Sequence, residues 1–454
     1  MKFCTLQQKF NKNVFTMRKN LRTVVAVGLL SSVALCAQAQ EEAEKTAFEK
    51  MQEHIDANSA KIKSLSKLKV SGYVQVQAEF GQYDTVAKAG ASTKTGNIAK
   101  FDPKIDGTDA DNFVRYGIRR GRIKFDYAAT ANSNVVFQLD ITDAGVGFKD
   151  AYYQLFVPSK NPLLDKVAGF KFGIFDRPFG DEISYSSSRR ESPERSMIFQ
   201  KLFPDERDLG ALIMLAAPQN TKFTGLKLDA GLFSGNGIRK DDNGKLDFIG
   251  HLKYDNKVND FTYGVGVSYY NGATNNASTE WFTMEKSVWT AKTAEANERN
   301  KREYYGLDAQ VSLKTAAGVT NVRGEMLGGT QPSVSGDIAS PKSNTYDAAA
   351  PFNYNRKFKG GHVYFIQDVP KTPLTFVFKY SYLDPNTQIS GNTITNKADL
   401  NMSTFGIGGL WNISPAVRLQ AFYEINRNET SEKIAQYKED IRDNLFTLRL
   451  QYKF

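Results

Sequence analysis

Along most of the chain, apolar and polar residues alternate one by one. In 444–454, Phe446, Leu448, Leu450, Tyr452 and Phe454 take one parity. Leu445, Thr447, Arg449, Gln451 and Lys453 take the other, all polar but the first. Successive side chains of a strand point to opposite faces, so this run predicts a strand with one apolar and one wet face. The stretch 68–80 repeats the pattern, with Leu68, Val70, Val74, Val76, Ala78 and Phe80 opposite Lys69, Ser71, Tyr73, Gln75, Gln77 and Glu79. Similar runs follow near 113–127, 133–142, 147–157, 168–176, 207–217, 225–234, 245–255 and 260–271. The later ones lie near 302–314, 319–329, 357–369, 373–384, 401–413, 416–427 and 443–454, making sixteen strands in all. Each is about the length a tilted strand needs to cross a bilayer.

The connections sharpen this reading. Taken alternately, one set runs from about two to ten residues, while the other reaches about thirty, and outer-membrane barrels keep short turns at the periplasmic end and long loops at the other. A soluble sandwich or propeller has no reason to sort its loops this way. Closure also removes the sheet edges that lipid could not satisfy. Tyr127, Tyr254, Tyr269, Trp411 and Tyr452 fall near strand ends, where interfacial girdles lie. The predicted fold is all-β: a 16-stranded antiparallel transmembrane β-barrel over 67–454, with a short N-terminal periplasmic coiled-coil helix.

That helix is expected over 40–66. Phe48, Met51, Ile55, Asn58, Ile62 and Leu65 follow a 3.5-residue repeat, which suits a self-associating seam. The same pattern would also fit one amphipathic helix lying on the periplasmic mouth. Before it, 1–39 reads as a signal peptide. Arg18, Lys19 and Arg22 precede an apolar run, and Ala37-Gln38-Ala39 offers cleavage before Gln40, with Met17 an alternative start. Both cysteines lie in this segment, so the exported chain would have no disulfide. Its six basic residues would leave with no acid, lowering the formal charge of +10 to +4. That is too small to predict nucleic-acid binding.

Candidate chemistry sits in two places. On the second strand, Gly121, Ile123, Phe125 and Tyr127 make the lipid face, so Arg120, Arg122 and Lys124 point into the lumen. Such a row would concentrate anions. Alternatively, carboxylates across the lumen, such as Glu325 or Glu424, would neutralise it. The second place is the long third loop, about 177–206, which carries Arg177, Arg189, Arg190, Arg195 and Lys201 beside Asp181, Glu182, Glu191, Glu194, Asp205 and Glu206. Its charge is near balance. His54, His251 and His362 are scattered along the sequence, so no metal site, cofactor or catalytic centre is expected.

Around this loop the chain resembles the phosphate-selective porin O and P family. The family element G-x-F-x-x-P-F-G-x-E is matched by Gly173, Phe175, Pro178, Phe179, Gly180 and Glu182. The R-D-x-G start of the next strand is matched by Arg207, Asp208 and Gly210, the arginine pair by Arg119 and Arg120, and an N-G-x-G-like end by Ser234-Gly-Asn-Gly237. The final strand, with Tyr452 and a terminal Phe454, resembles the closing strand that the barrel assembly machinery reads. The resemblance implies a homotrimeric outer-membrane porin of a Gram-negative-type bacterium, whose third loop folds inward. It would pass small hydrophilic solutes with a bias toward anions such as phosphate, through Arg120, Arg122, Lys124, Arg189, Arg190 and Arg195. A general non-selective porin and a structural or adhesin barrel are the other readings.

Overall fold

The computed structural model describes residues 49–59, 62, 66–82, 112–142, 145–204, 206–239, 241, 244–275, 279–295, 298–341 and 353–454. The expected signal peptide, and the seam positions Phe48 and Leu65, lie outside them. Two compact units divide at Leu68. In the first, 49–59 is helical with every residue exposed, Met51 and Ile55 of the expected seam among them.

The second unit is one sheet, antiparallel throughout its wall. Its first half comprises β1 (Leu68–Gln82), β2 (Asn112–Thr130), β3 (Ser133–Thr142), β4 (Gly145–Phe156), β5 (Ala168–Asp176), β6 (Arg207–Ala216), β7 (Leu226–Phe233), β8 (Asp247–Val258) and β9 (Phe261–Asn275). After a hairpin of β10 (Glu280–Glu285) and β11 (Val288–Thr293) come β12 (Arg299–Thr315), β13 (Gly318–Ser333), β14 (Asn353–Asp368) and β15 (Leu374–Asp384). The sheet ends with β16 (Met402–Asn412), β17 (Val417–Asn428) and β18 (Leu445–Lys453).

β9 pairs directly with β12, so β10 and β11 stand outside the wall and the barrel has sixteen strands. Each strand of the alternating pattern is present. Closure comes from β18 on β1, running from Tyr73↔Lys453 to Gly81↔Leu445. Phe454 extends this seam: its N–H donates to the Gly72 carbonyl and its carbonyl accepts from the Gly72 N–H, both at 3.0 Å. The extra hairpin carries no Asn-Gly or Gly-rich turn signal. Lys286 and Ser287 take the left-handed φ values of 48° and 64° themselves, which a two-residue turn of this hand demands.

Outward positions are apolar and exposed, as with Val265, Phe378, Ile407 and Leu450, and Trp411 and Tyr452 stand among them. Inward positions are largely buried, and 177–204 folds into the space they enclose. On β2 the inward parity changes. Val114, Tyr116 and Ile118 face out while Phe113 and Arg115 are buried, and beyond Ile118 both Arg119 and Arg120 reach inward to the same carboxylate.

Candidate functional site: the inward third loop

The third loop leaves β5 and re-enters the wall at β6, and its two halves dock by different physics. Phe179, Ile183, Ile198, Phe199, Leu202 and Phe203 are buried with Phe175, Phe233, Tyr270, Tyr304 and Phe358 of the wall in one aromatic cluster. The short helix Met197–Leu202 supplies three of these. Burying one such side chain contributes roughly 1.5–3 kcal/mol. A buried ion pair, by contrast, nets close to nothing after desolvation. The apolar half therefore holds the loop inside the barrel, and the polar half sets where its tip lies.

The motif residues build the entry to this dock. Phe179 lies against Gly306, where an added Cβ would sit 2.9 Å from its ring. Gly180 has φ +60°, and a Cβ there would collide with a Glu325 carboxylate oxygen. Its N–H donates to the Ser268 hydroxyl at 2.9 Å, and the N–H groups of Asp181 and Glu182 both donate to Glu325 Oε1. Three successive amides thus clasp the wall. Glu182 then accepts from the Ser196 N–H at 3.0 Å, the Ser196 hydroxyl and the Tyr364 hydroxyl at 3.1 Å. Burial would raise this carboxyl, but His362, Lys379 and Ser196 outweigh it and hold it at about 2.

Ser196 Oγ also lies 3.3 Å from His362 Nδ1. That hydroxyl is fully buried and committed to Glu182, so it has no path to a substrate.

Asp208 gathers the other motif elements. It accepts from Arg177 at 3.0 Å, the Ser234 hydroxyl at 2.8 Å and the Gly235 N–H at 3.1 Å. Gly173 takes φ +127° where β5 crosses Tyr152. Arg207 pairs with Asp150 at 3.0 Å and with Glu206.

The tip, 186–194, docks on the closing strands. Gln75 and Gln451 donate to the carbonyls of Ser187 and Ser188 at 3.0 and 3.1 Å. Arg418 donates to the carbonyls of Arg189 and Arg190, and Lys379 to that of Glu194 at 3.2 Å. Glu194 is the electrostatic centre. Arg119 grips it with two hydrogen bonds of 3.0 Å, Arg120 reaches it at 2.7 Å, and Arg449 at 2.8 Å. Burial pushes this carboxyl up, yet the three guanidinium groups hold it well below the usual carboxylate range. Three cations on one anion leave a local surplus of positive charge.

The sequence-predicted cations therefore divide. Arg120 and Arg122 do face inward, but their carboxylate partners are Glu194 and, at 3.3 Å, Asp140 rather than Glu325 or Glu424. Glu325 faces the loop amides, and Glu424 lies 3.5 Å from Lys379. Lys124 lies 3.9 Å from Asp126. Arg195 pairs with Glu206. Arg189 is exposed, stacks over the Tyr185 ring, and pairs with no carboxylate among the described residues. Arg190 is 2% exposed and donates to the Tyr185 carbonyl at 3.2 Å, while its Nε and Nη1 find no partner among the described residues. Burial lowers its pKa, and Arg120 lowers it further. Arg189 and Arg190 line a cavity of about 250 Å³ with Tyr185, Lys253, Arg323 and Glu325.

Sequence reasoning missed Glu325, Ser268 and Tyr364 as the loop's anchors, and the apolar dock itself. The dock had a signal: Ile198, Phe199, Leu202 and Phe203 recur at helical spacing in an otherwise polar loop. The small inward residues Gly264 and Gly266 make room for Asp255, Gln310, His251 and Asp308 side chains.

No protein-family model and no curated relative matches the chain. Among solved structures it is similar to OprB of Pseudomonas putida, with a TM-score of 0.51 and 10% identity, over 88% of this chain and 97% of that one. It is also similar to the outer membrane channel DcaP of Acinetobacter baumannii, with a TM-score of 0.48 and 12% identity, over 85% and 97%. The trimer form of OmpT, an outer membrane protein of Vibrio cholerae, matches with a TM-score of 0.47 and 11% identity, over 85% and 99%. At such identities the first likeness speaks for the fold alone, and the other two add nothing to it. The chain has the closed, sixteen-stranded transmembrane barrel fold of outer-membrane porins.

Proposed function

We propose that this protein is an outer-membrane porin, assembled as a homotrimer, that passes small hydrophilic solutes by diffusion with a bias toward anions such as phosphate. The observation that carries the reading is the loop held across the lumen with its cationic surplus. Arg119, Arg120 and Arg449 share the single carboxylate of Glu194. Arg190 adds guanidinium nitrogens that find no partner among the described residues. In a narrow lumen such charges act within the Debye length of about 8 Å at physiological salt, so salt screens them only in part. The resemblance to the phosphate-selective porin O and P family supports the same class. The pairing of Arg122 with Asp140 and of Arg195 with Glu206 favours a graded preference over strict phosphate selection.

Liposome swelling tests the transport reading. Vesicles carrying the purified chain should swell in isotonic solutions of a small sugar and keep their volume in a large dextran. Vesicles that stay shut to both would leave a structural barrel.

A further inference from the structure

A second group of cations lies on the outside of the barrel. Lys357 and Lys359 of β14 share the outward parity of Val363 and Phe365, and all four are exposed. Lys301 of β12 shares the outward parity of Tyr305 and Leu307. The register places them together. Tyr269 of β9 is opposite Tyr305, Tyr305 is opposite Gly328 of β13, and Gly328 is opposite Lys359. One row further toward the long loops, Glu303 is opposite Thr330, which is opposite Lys357. Two strand spacings, roughly 10 Å, separate β12 from β14.

This height is the boundary of the membrane. Below the row the outward face is apolar, with Leu307, Met326, Val363 and Phe365. At the row itself stand Tyr269 and Tyr305, whose rings lie 5.2 Å apart, as in an interfacial aromatic girdle. A lysine at that height places its ammonium at the headgroups, with its stem along the apolar wall. Between Tyr305 and Lys359 the wall carries only Gly328. Gly324 and Gly361 flank Met326 just below, so positions of the outer surface under the lysines carry no side chain.

Two carboxylates share the patch. Lys301 lies 2.7 Å from Glu303, which also accepts from the Tyr269 hydroxyl at 2.9 Å, and Lys359 is 3.8 Å from Asp384. Lys357 pairs with no carboxylate among the described residues. The patch keeps a net positive charge facing lipid, where an unmatched ammonium is costly unless an anion meets it.

We infer that the outer wall of β12–β14 binds the phosphorylated headgroup of a lipid of the outer leaflet, with Lys357 and Lys359 as the phosphate donors and Lys301 beside them. The site depends on the barrel spanning a membrane and not on the pore's ion preference. It faces lipid, so its occupant arrives from the bilayer and not from the lumen.

The test uses the full chain in mild detergent, incubated with lipid A or with the same glycolipid stripped of its phosphates, and native mass spectrometry of what stays bound. Wild type should retain the phosphorylated lipid and shed the stripped one. The variant Lys301→Gln, Lys357→Gln, Lys359→Gln should bind it on the order of a hundredfold more weakly, at about a factor of five per surface lysine. Single-channel conductance should be unchanged, which separates this site from the pore reading. Lys357→Gln alone removes an exposed side chain with no ion partner among the described residues, so it should fold normally and still show a measurable loss. Equal retention of the two lipids by wild type, or undiminished binding by the Lys357→Gln protein, would overturn the inference. Displacement of the lipid by inorganic phosphate would overturn it too, since it would mark a free-anion site.

Discussion

Replacing Glu194 with Gln should free the loop tip and push ion preference further toward anions. The side chain keeps its size but loses the charge that Arg119, Arg120 and Arg449 share. Removing one partner of a buried ion network costs about 3–5 kcal/mol, because the charges left behind repel without compensation. Here they are left near a wet lumen, so the cheapest relief is local: 186–194 lifts away and the guanidinium groups hydrate. The aromatic dock, resting on Phe179, Phe199 and Phe203, is untouched, and the barrel should fold to the same yield. Two readouts follow. Arg189 and Arg190 should become cleavable by trypsin in the intact protein, and the zero-current potential in a potassium chloride gradient should move further in the anion direction. A variant that stays protease-resistant with unchanged selectivity would mean the backbone contacts from Gln75, Arg418 and Gln451 position the tip alone.

The other half of the loop should respond to Gly180→Val with a larger change in the pore. A residue with a Cβ pays about 1–2 kcal/mol to hold the left-handed φ found here, and its Cβ would overlap the Glu325 carboxylate. The clasp of the Gly180, Asp181 and Glu182 amides on Ser268 and Glu325 then cannot form as built. Displacing the entry drags Phe179 out of its place against Gly306 and Phe203. The constriction should widen, raising single-channel conductance with a loss of ion preference. Glu325→Ala in the same chain removes the overlap but also the acceptor of the Asp181 and Glu182 amides, so the double variant should conduct like Gly180→Val and not recover. Conductance identical to wild type in Gly180→Val would show that this clasp does not set the constriction.

Much of the wall was legible because a strand has a period of two and lipid makes one face uniformly apolar. Leu448, Leu450 and Tyr452 can be read that way without any partner in view. The loop was legible only as motif residues. Gly180 announces a special backbone, but nothing in its neighbourhood names Glu325, which lies far along the chain and reaches it through the curvature of the barrel. For the same reason the Arg120 row was assigned the correct face and the wrong partners. Parity fixes the direction of a side chain, while pairing depends on what the loop brings across. Arg119 escaped parity altogether, since β2 breaks its alternation just before it. The β10–β11 hairpin was missed because its turn is made by Lys286 and Ser287, residues that ordinarily avoid such φ values.

The central claim is that an inward loop, pinned by Glu194 and Glu325, leaves a guanidinium surplus in the lumen that sets the ion preference. The most direct measurement is the zero-current potential of the wild-type channel in a planar bilayer with a potassium chloride gradient, repeated at rising salt. The account predicts a potential of the anion-preferring sign that shrinks toward zero as screening strengthens. A cation-preferring sign, or a potential of zero already at low salt, would contradict it.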